Sequence, residues 1–542
     1  MSTRTPAAVK RLTLVACILG SGIALLDSTV VNVALPTIQR DLGGGLAAQQ
    51  WVSNVYLLTL GSLILIGGSL GDLFGERRVF ALGVGGFGAA SLLCALAPSI
   101  QLLIAARALQ GIAGALLTPS ALAVIVSTFS ESERGPAIGS WTAWGGIATV
   151  LGPLAGGELL NVSSWRWIFL INLPFVAICL GLILTAIPRS TGRGARRIDY
   201  PGALLCALGL GGPVFALIEQ PRLGWSSPGV LVPLLTGFAL FAGFLVYESR
   251  VRDPMLPLGL FRRRNFLVGN VETLAMYAGL SVLFFFLTLF LQQVGGYSPL
   301  KSGLAMVPAT LVMFALSRRF GALADRFGPR VLMGAGPLVS ACGLVMFQRI
   351  GIHVHYLGEV LPGLLVFSLG LAMTVAPLTA AVLAGVDGTQ AGIASATNNA
   401  VARVAGLLGT AAIGAVVAAS FSTHIDAGLG SRALGMPGRA VVAQAKRLPL
   451  GRPDVSRLPQ AEARAVTRAA DDASLHSFHL GLEIAALLVA LGGITGSIGI
   501  RNPERVVRAE DCEGGQLVGI AVDAAGDSHA GRSPEPVLSE PV

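Results

Sequence analysis

Apolar stretches about twenty residues long recur from one end of the chain to the other, separated by short polar or glycine-containing breaks. Coiled into helices, each could cross the roughly 30 Å hydrocarbon core of a bilayer. The pattern predicts spans over 12–35, 51–71, 79–97, 101–127, 137–159, 167–187, 200–219, 230–248, 266–292, 303–320, 331–350, 358–384, 396–420 and 479–500. The fold class expected is an all-α polytopic membrane protein of about fourteen transmembrane helices. An even count puts both termini on one side.

The polar residues between spans say which side. Arg4, Lys10 and Arg11 precede the first span. Alternate short loops then carry Arg77 and Arg78, Arg134, the set Arg189, Arg193, Arg196 and Arg197, the cluster from Arg250 to Arg264, and Arg326 with Arg330. The intervening loops hold only single charges such as Arg40, Arg222 and Lys301. Cytoplasmic loops are the Lys/Arg-rich ones, so both termini are expected in the cytoplasm and the protein in the cell (cytoplasmic) membrane. Loop 421–478 is basic and falls outside, but long loops count little in this rule.

Composition agrees with the pattern. The chain is 53% hydrophobic and 12% charged, with a mean hydropathy of +0.72. Soluble domains carry about 25% charged residues. Its 70 glycines suit helices that approach closely in lipid. The net charge of +9 therefore reports topology, and nucleic acid is not an expected partner. The N-terminus resembles a signal sequence in charge and hydrophobicity, but its apolar run is too long and no A-x-A cleavage pattern follows. Cys17, Cys94, Cys179, Cys206 and Cys342 are scattered through spans and Cys512 lies in the tail, with no metal spacing or disulfide framework. His353 and His355 read as a solvated loop end, so no metal site is expected. No P-loop, flavin motif or catalytic triad is visible. The chain is not expected to be an enzyme or to need a cofactor, which leaves an ion gradient as its energy source.

Internal repetition points to the architecture. After the second span the chain reads Gly68-Ser-Leu70-Gly71-Asp72-Leu-Phe-Gly75-Glu-Arg77-Arg78, and after the tenth Gly321-Ala-Leu323-Ala-Asp325-Arg326-Phe-Gly328-Pro-Arg330. Both copies set an acid, a turn glycine and an arginine in a short cytoplasmic loop. If each marks the second connection of a six-span half, the arrangement is six plus two plus six, a repeat typical of secondary transporters. The expected divisions are a cytoplasmic N-terminus (1–11), an N-terminal half (12–187), two inserted helices with flanking loops (188–265), a C-terminal half (266–500) that includes extracellular loop 421–478, and a disordered polar tail (501–542).

The paired loops resemble the cytoplasmic signature of the major facilitator superfamily. Further segments resemble its fourteen-span drug:proton antiporter branch. Leu26-Asp27-Ser-Thr29-Val-Val-Asn32-Val-Ala34-Leu35-Pro36 looks like that branch's first-helix motif, and Arg107-Ala-Leu-Gln110-Gly111 like the superfamily's arginine motif. Gly145 with Gly152-Pro153-Leu-Ala-Gly156-Gly157 resembles the antiporter motif, and Trp165-Arg166-Trp167-Ile-Phe169-Leu-Ile-Asn172-Leu-Pro174 the branch's entry to span six. The resemblance runs from about residue 12 to 500. It implies multidrug or antibiotic efflux, a tie between Arg107 and proton coupling, and a span-five seal between the halves that favours export. The first loop copy departs from the pattern, with Leu73 where the second has Arg326.

Each motif also has a physical reading. A carboxylate mid-span costs on the order of 2.5–3.5 kcal/mol on insertion scales, so Asp27 is a candidate proton carrier; the plainer alternative is a structural acid satisfied by Ser28 or Thr29. The Arg107 guanidinium stays charged and needs a partner or water, whether to tune a nearby acid or as a structural ion pair. Glu272 opens the second half beside Asn270. It can face the central cavity in a coupling role, or sit near the cytoplasmic interface where water satisfies it. Arg403 is expected to snorkel to the cytoplasmic headgroups. Gly152 and Gly156 clear one helix face, and Pro153 can kink the helix. Asp72 and Asp325, with Gly75, Arg77, Arg78, Arg326 and Arg330, would form a cytoplasmic latch between the halves.

The expectation is therefore a proton-coupled antiporter, exporting small amphipathic or hydrophobic compounds as a monomer embedded in lipid. Two rivals stay open: transport of a specific metabolite on the same fold, and a non-transporting membrane sensor or lipid-modifying enzyme.

Overall fold

A computed structural model describes residues 6–188, 199–252, 254–383, 386, 391–430, 432 and 434–502, and among these the regular structure is helical. The N-terminal set comprises α1 (Pro6–Leu42), α2 (Leu46–Phe74), α3 (Glu76–Leu96), α4 (Ile100–Thr128), α5 (Glu131–Val162), α6 (Trp167–Leu170) and α7 (Asn172–Ala186). Two helices follow, α8 (Tyr200–Leu223) and α9 (Pro228–Glu248). The C-terminal set is α10 (Arg264–Gln293), α11 (Pro299–Phe327), α12 (Pro329–Met346), α13 (Leu361–Leu383), α14 (Ala391–Leu429), α15 (Met436–Arg447) and α16 (Gln460–Gly499). Among the described residues, 12 stretches are long and apolar enough to cross a membrane. Helices α2 and α5, of 29 and 32 residues, stand where the second and fifth spans are expected. The arginines at 189, 193, 196 and 197 and all of the tail beyond Asn502 lie outside the described residues.

Helix starts follow from local chemistry. Proline, which lacks a backbone donor, opens α8, α9, α11 and α12, where the first amides need no intrahelical partner. Ser99 and Ser298 cap α4 and α11 by accepting from Leu102 and Lys301 backbone N–H groups. The repeated loops share one backbone device. Gly75, between α2 and α3, has φ +91°, and Gly328, between α11 and α12, has φ +80°. A side chain is disfavoured there, so the same residue makes the same turn in both halves.

Each half has its own apolar core. In the N-terminal half Phe80, Phe87, Leu117 and Ile183 are fully buried together. The C-terminal core centres on α10, where Phe285, Phe286 and Phe290 are buried, and it continues into α1 and α4. The inserted pair packs as a hairpin, and α8 reaches both halves. Its Val214 and Ile218 cluster with Leu407 and Ala411 of α14 and with Trp51 and Leu58 of α2. A fourth cluster, with Phe421, Ile425, Val442, Val466 and Ala469, joins the end of α14, α15 and the start of α16. Helix α16 thus runs unbroken from Gln460 in this cluster into the last span.

The hydrogen bonds that join the two halves, among the described residues, lie away from the termini. Gln50 donates to the Thr410 carbonyl at 2.6 Å, Thr410 donates to Asn54 at 2.9 Å, and Gln292 donates to the Val33 carbonyl at 2.9 Å. The halves are therefore clasped on the face opposite the termini.

Candidate functional site

Asp27 lies on α1 and Arg107 on α4, 80 residues apart in sequence, and the fold brings them together. Arg107 Nη1 donates to Asp27 Oδ2 at 2.5 Å, with the side chains 1% and 0% exposed. Such a pair, removed from water, persists only when its remaining polar atoms are satisfied, and here most are. Arg107 Nη1 also donates to Gln110 Oε1 at 2.6 Å, and Nε donates to the Val52 carbonyl at 3.1 Å. The guanidinium lies over the Tyr56 ring, 4.3 Å from its centroid. The other carboxylate oxygen of Asp27 accepts from Gln110 Nε2 at 3.0 Å and from Asn172 Nδ2 at 3.2 Å. Both amides also donate to Ser91 Oγ, at 2.9 and 3.3 Å. Residues from α1, α2, α3, α4 and α7 thus build one buried polar cluster.

Sequence reasoning took Asp27 and Arg107 as candidates and passed over Gln110, Asn172, Ser91 and Tyr56. Gln110 was visible: three residues after Arg107, it shares that helix face. Asn172 belongs to the Trp165–Pro174 segment at the entry to span six, but nothing in its spacing ties it to α1.

Between the halves lies a cavity of about 250 Å³. Its wall is largely apolar, with Leu25, Leu280, Phe284, Phe285, Met306 and Met313, and polar groups come from Asn32, Ser53, Asn54 and Thr410. Arg107 belongs both to the wall and to the buried cluster, so the cavity is one side chain away from Asp27.

Glu272 and Arg403 occupy different surroundings. Glu272 does not line the cavity. It is fully buried inside the C-terminal half, its carboxylate facing α16 at Gly496, and neither oxygen has a hydrogen-bond partner among the described residues. Arg403 does not snorkel to the headgroups but lines the cavity. The start of α14 at Ala391 leaves Arg403 about 18 Å along the helix, too far in to reach that interface.

The span-five residues have two faces. Toward α1, a Cβ added at Gly145 would meet Leu25 at 3.0 Å, and the positions of Gly152 and Gly156 press on Thr29 and Val30. Toward α11, a Cβ at Gly157 would fall 2.4 Å from Leu300 Cα, and one at Gly303 would fall 2.4 Å from the Pro153 carbonyl oxygen. Backbone meets backbone there, so the seam between α5 and α11 has no room for a side chain.

Among the described side chains, Arg77 and Arg330 of the paired loops bond within their own halves. Arg77 donates to the Leu184 carbonyl at 2.6 Å within the N-terminal half. Arg330 donates to the Ser497 carbonyl at 2.8 Å within the C-terminal half. Arg326 lies over Phe327, and Arg78 is exposed. The side chains of Asp72 and Asp325 lie outside the described residues. Nearby, Lys10 donates to Glu133 at 2.5 Å. That contact, with hydrogen bonds from the Ser130 hydroxyl and backbone N–H, lowers the Glu133 carboxyl pKa to about 2.

Known proteins place this arrangement. The sequence pattern of the Major Facilitator Superfamily matches residues 17–410. A puromycin resistance protein of Streptomyces alboniger is 38% identical over 412 residues, covering 74% of this chain and 81% of the relative. A tetracenomycin C resistance and export protein of Streptomyces glaucescens is 35% identical, covering 75% and 76%. A methylenomycin A resistance protein of Bacillus subtilis is 34% identical, covering 77% and 89%. Among solved structures, a bacterial homologue of the human lysosomal transporter Spinster, inward-facing and occupied, aligns with a TM-score of 0.60 at 17% identity. That alignment covers 90% of this chain and 98% of the other.

Proposed function

The chain belongs to the major facilitator superfamily, and we propose that it exports small amphipathic or hydrophobic compounds, drugs or antibiotics among them, in exchange for protons. Its relatives include proteins named for antibiotic resistance and export, and its many apolar helices make it a multi-pass membrane protein. The reading extends to fourteen crossings in six plus two plus six order, in the cytoplasmic membrane with both termini inside. The protein works as a monomer with no cofactor beyond the proton gradient.

One observation carries the proposal: the buried Asp27–Arg107 pair stands one side chain behind a cavity between the halves. Ionised Asp27 holds Arg107 and ties α1 to α4. A proton on Asp27 removes the charge that Arg107 balances and loosens that tie. The N-terminal half then repacks, and alternating access follows from rocking of one half against the other. The seam of α5 against α11 supports a state closed on the far side and entered from the cytoplasm, which is where an exporter loads. In that state Arg77 and Arg330 are held within their own halves, free of the cross-half latch that would form when the cytoplasmic side closes. Glu272, away from the cavity, would couple only through the packing of α10 on α16.

The test is uptake of dyes and antibiotics into inverted membrane vesicles under an imposed pH gradient. Wild-type protein should concentrate cargo until the gradient is collapsed, and Asp27→Asn should not. Transport that continues after the gradient is collapsed, or full pH-driven transport by Asp27→Asn, overturns the reading.

A further inference from the structure

The cavity wall holds two arginines and, among the described residues, no acid. Arg107 is balanced by Asp27. Arg403 has no hydrogen-bond or ion-pair partner among the described residues, although it sits deep in the protein against α2, where a Cβ added at Gly61 would lie 3.3 Å from its Cβ. An unpaired cation within a membrane protein is costly and marks a ligand path or ligand site. The groups facing it are neutral: Tyr56 and Tyr277 lie within electrostatic reach of its guanidinium. Tyr277 is 8% exposed, lines the same cavity, and its hydroxyl has no partner. One turn further along α10, Ser281 faces α14 at Gly406, the position next above Arg403 on that helix face. Arg403 thus presents unused donors to a chamber whose wall is largely apolar, and the Tyr277 ring lines that chamber while its hydroxyl is buried behind the wall without a partner.

We propose that the cavity selects amphipathic anions: molecules whose apolar body packs on Phe284, Phe285 and Met306, and whose carboxylate, sulfonate or phenolate pairs with Arg403. The guanidinium fork suits such an oxygen pair better than any other side chain. The inference rests on the efflux reading and gives that reading its substrate class. It also makes the exchange strongly sensitive to voltage. An anion leaving and a proton entering both carry positive charge inward, so an inside-negative membrane drives both legs.

Two dyes with the same three-ring body separate charge from shape: fluorescein, an anion, and rhodamine 123, a cation. Their binding to the purified full-length protein in lipid nanodiscs is followed by fluorescence polarisation, with no gradient present. Wild-type protein should bind fluorescein the more tightly. Arg403→Gln should weaken fluorescein by about tenfold or more, the loss expected when a charge-assisted hydrogen bond is removed, and leave rhodamine 123 unweakened. Arg403→Lys should keep most of the preference. Wild-type protein that prefers rhodamine 123 overturns the proposal without any variant, as does an Arg403→Gln protein that loses both dyes equally or keeps fluorescein. Because binding is read without transport, charge discrimination that survives while pH-driven uptake fails would sink the efflux reading and leave this one standing.

Discussion

Replacing Asp27 by Asn separates what the buried pair does for stability from what it does for transport. The amide keeps one oxygen to accept from Gln110 and Asn172, now 3.0 and 3.2 Å away. Its other end offers an NH₂ group to Arg107 Nη1 at a contact of 2.5 Å, donor against donor. Arg107 is then a buried cation with no counter-charge, and breaking such a pair from one side costs about 3–5 kcal/mol. Arg107→Gln should cost a similar amount by stranding Asp27. The double variant restores neutrality and lets one amide donate to the other, so it should recover most of the loss of either single change. A double-mutant cycle on unfolding in mixed detergent measures the coupling, which should be at least about 2 kcal/mol and of rescuing sign. pH-driven uptake should be absent in all three variants. Additive destabilisation in the double variant would show that the two side chains do not depend on each other, and the account of the cluster would fail. Rescue of uptake together with stability would instead remove Asp27 from the proton's path.

Two further outcomes follow from the geometry. Gly303→Val places a side chain where a Cβ alone would fall 2.4 Å from the Pro153 carbonyl oxygen; it should prop open the seam of α5 and α11, raise labelling of cysteines placed along it from outside, and cut uptake by about tenfold or more, whereas unchanged labelling would refute the seal. Glu133, lowered to about 2 by Lys10 and Ser130, contributes stability that is present above its ordinary value of 4.5 and is lost as pH falls from there through about 2. Hydrogen exchange at the start of α1 should therefore stay flat from pH 5 to 8, after correction for the intrinsic rate, and Glu133→Gln should speed it across that whole range.

Hydropathy located the long apolar helices because a segment in lipid must bury its backbone polar groups in helix. The turn glycines were equally legible, since a positive φ leaves a residue-level mark at Gly75 and Gly328 alike. Rotation of a helix about its axis leaves no such mark in an apolar span. In a soluble helix, polarity separates the inner face from the outer, but in lipid both are apolar, so depth can be read and direction cannot. That is why the sequence left Glu272 between the cavity and the cytoplasmic interface, whereas its side chain lies against α16; Arg403 is a miss of depth instead, since a long side chain near a span's start was read as reaching the headgroups and it lines the cavity. The pairing of Asp27 with Arg107 is tertiary, and only the helical spacing of Arg107 and Gln110 announced part of it.

Helices α14 and α16, of 39 and 40 residues, would each measure nearly 60 Å, about twice the thickness of a hydrocarbon core. Their far ends, bound through Phe421, Val442 and Val466, make a stiff off-centre peg on the face opposite the termini. A detergent-wrapped helical bundle offers an electron microscope little by which to tell its top from its bottom. This one carries its own landmark, and an antibody raised against α15 would both enlarge that landmark and report, on intact cells, which way each molecule had been inserted.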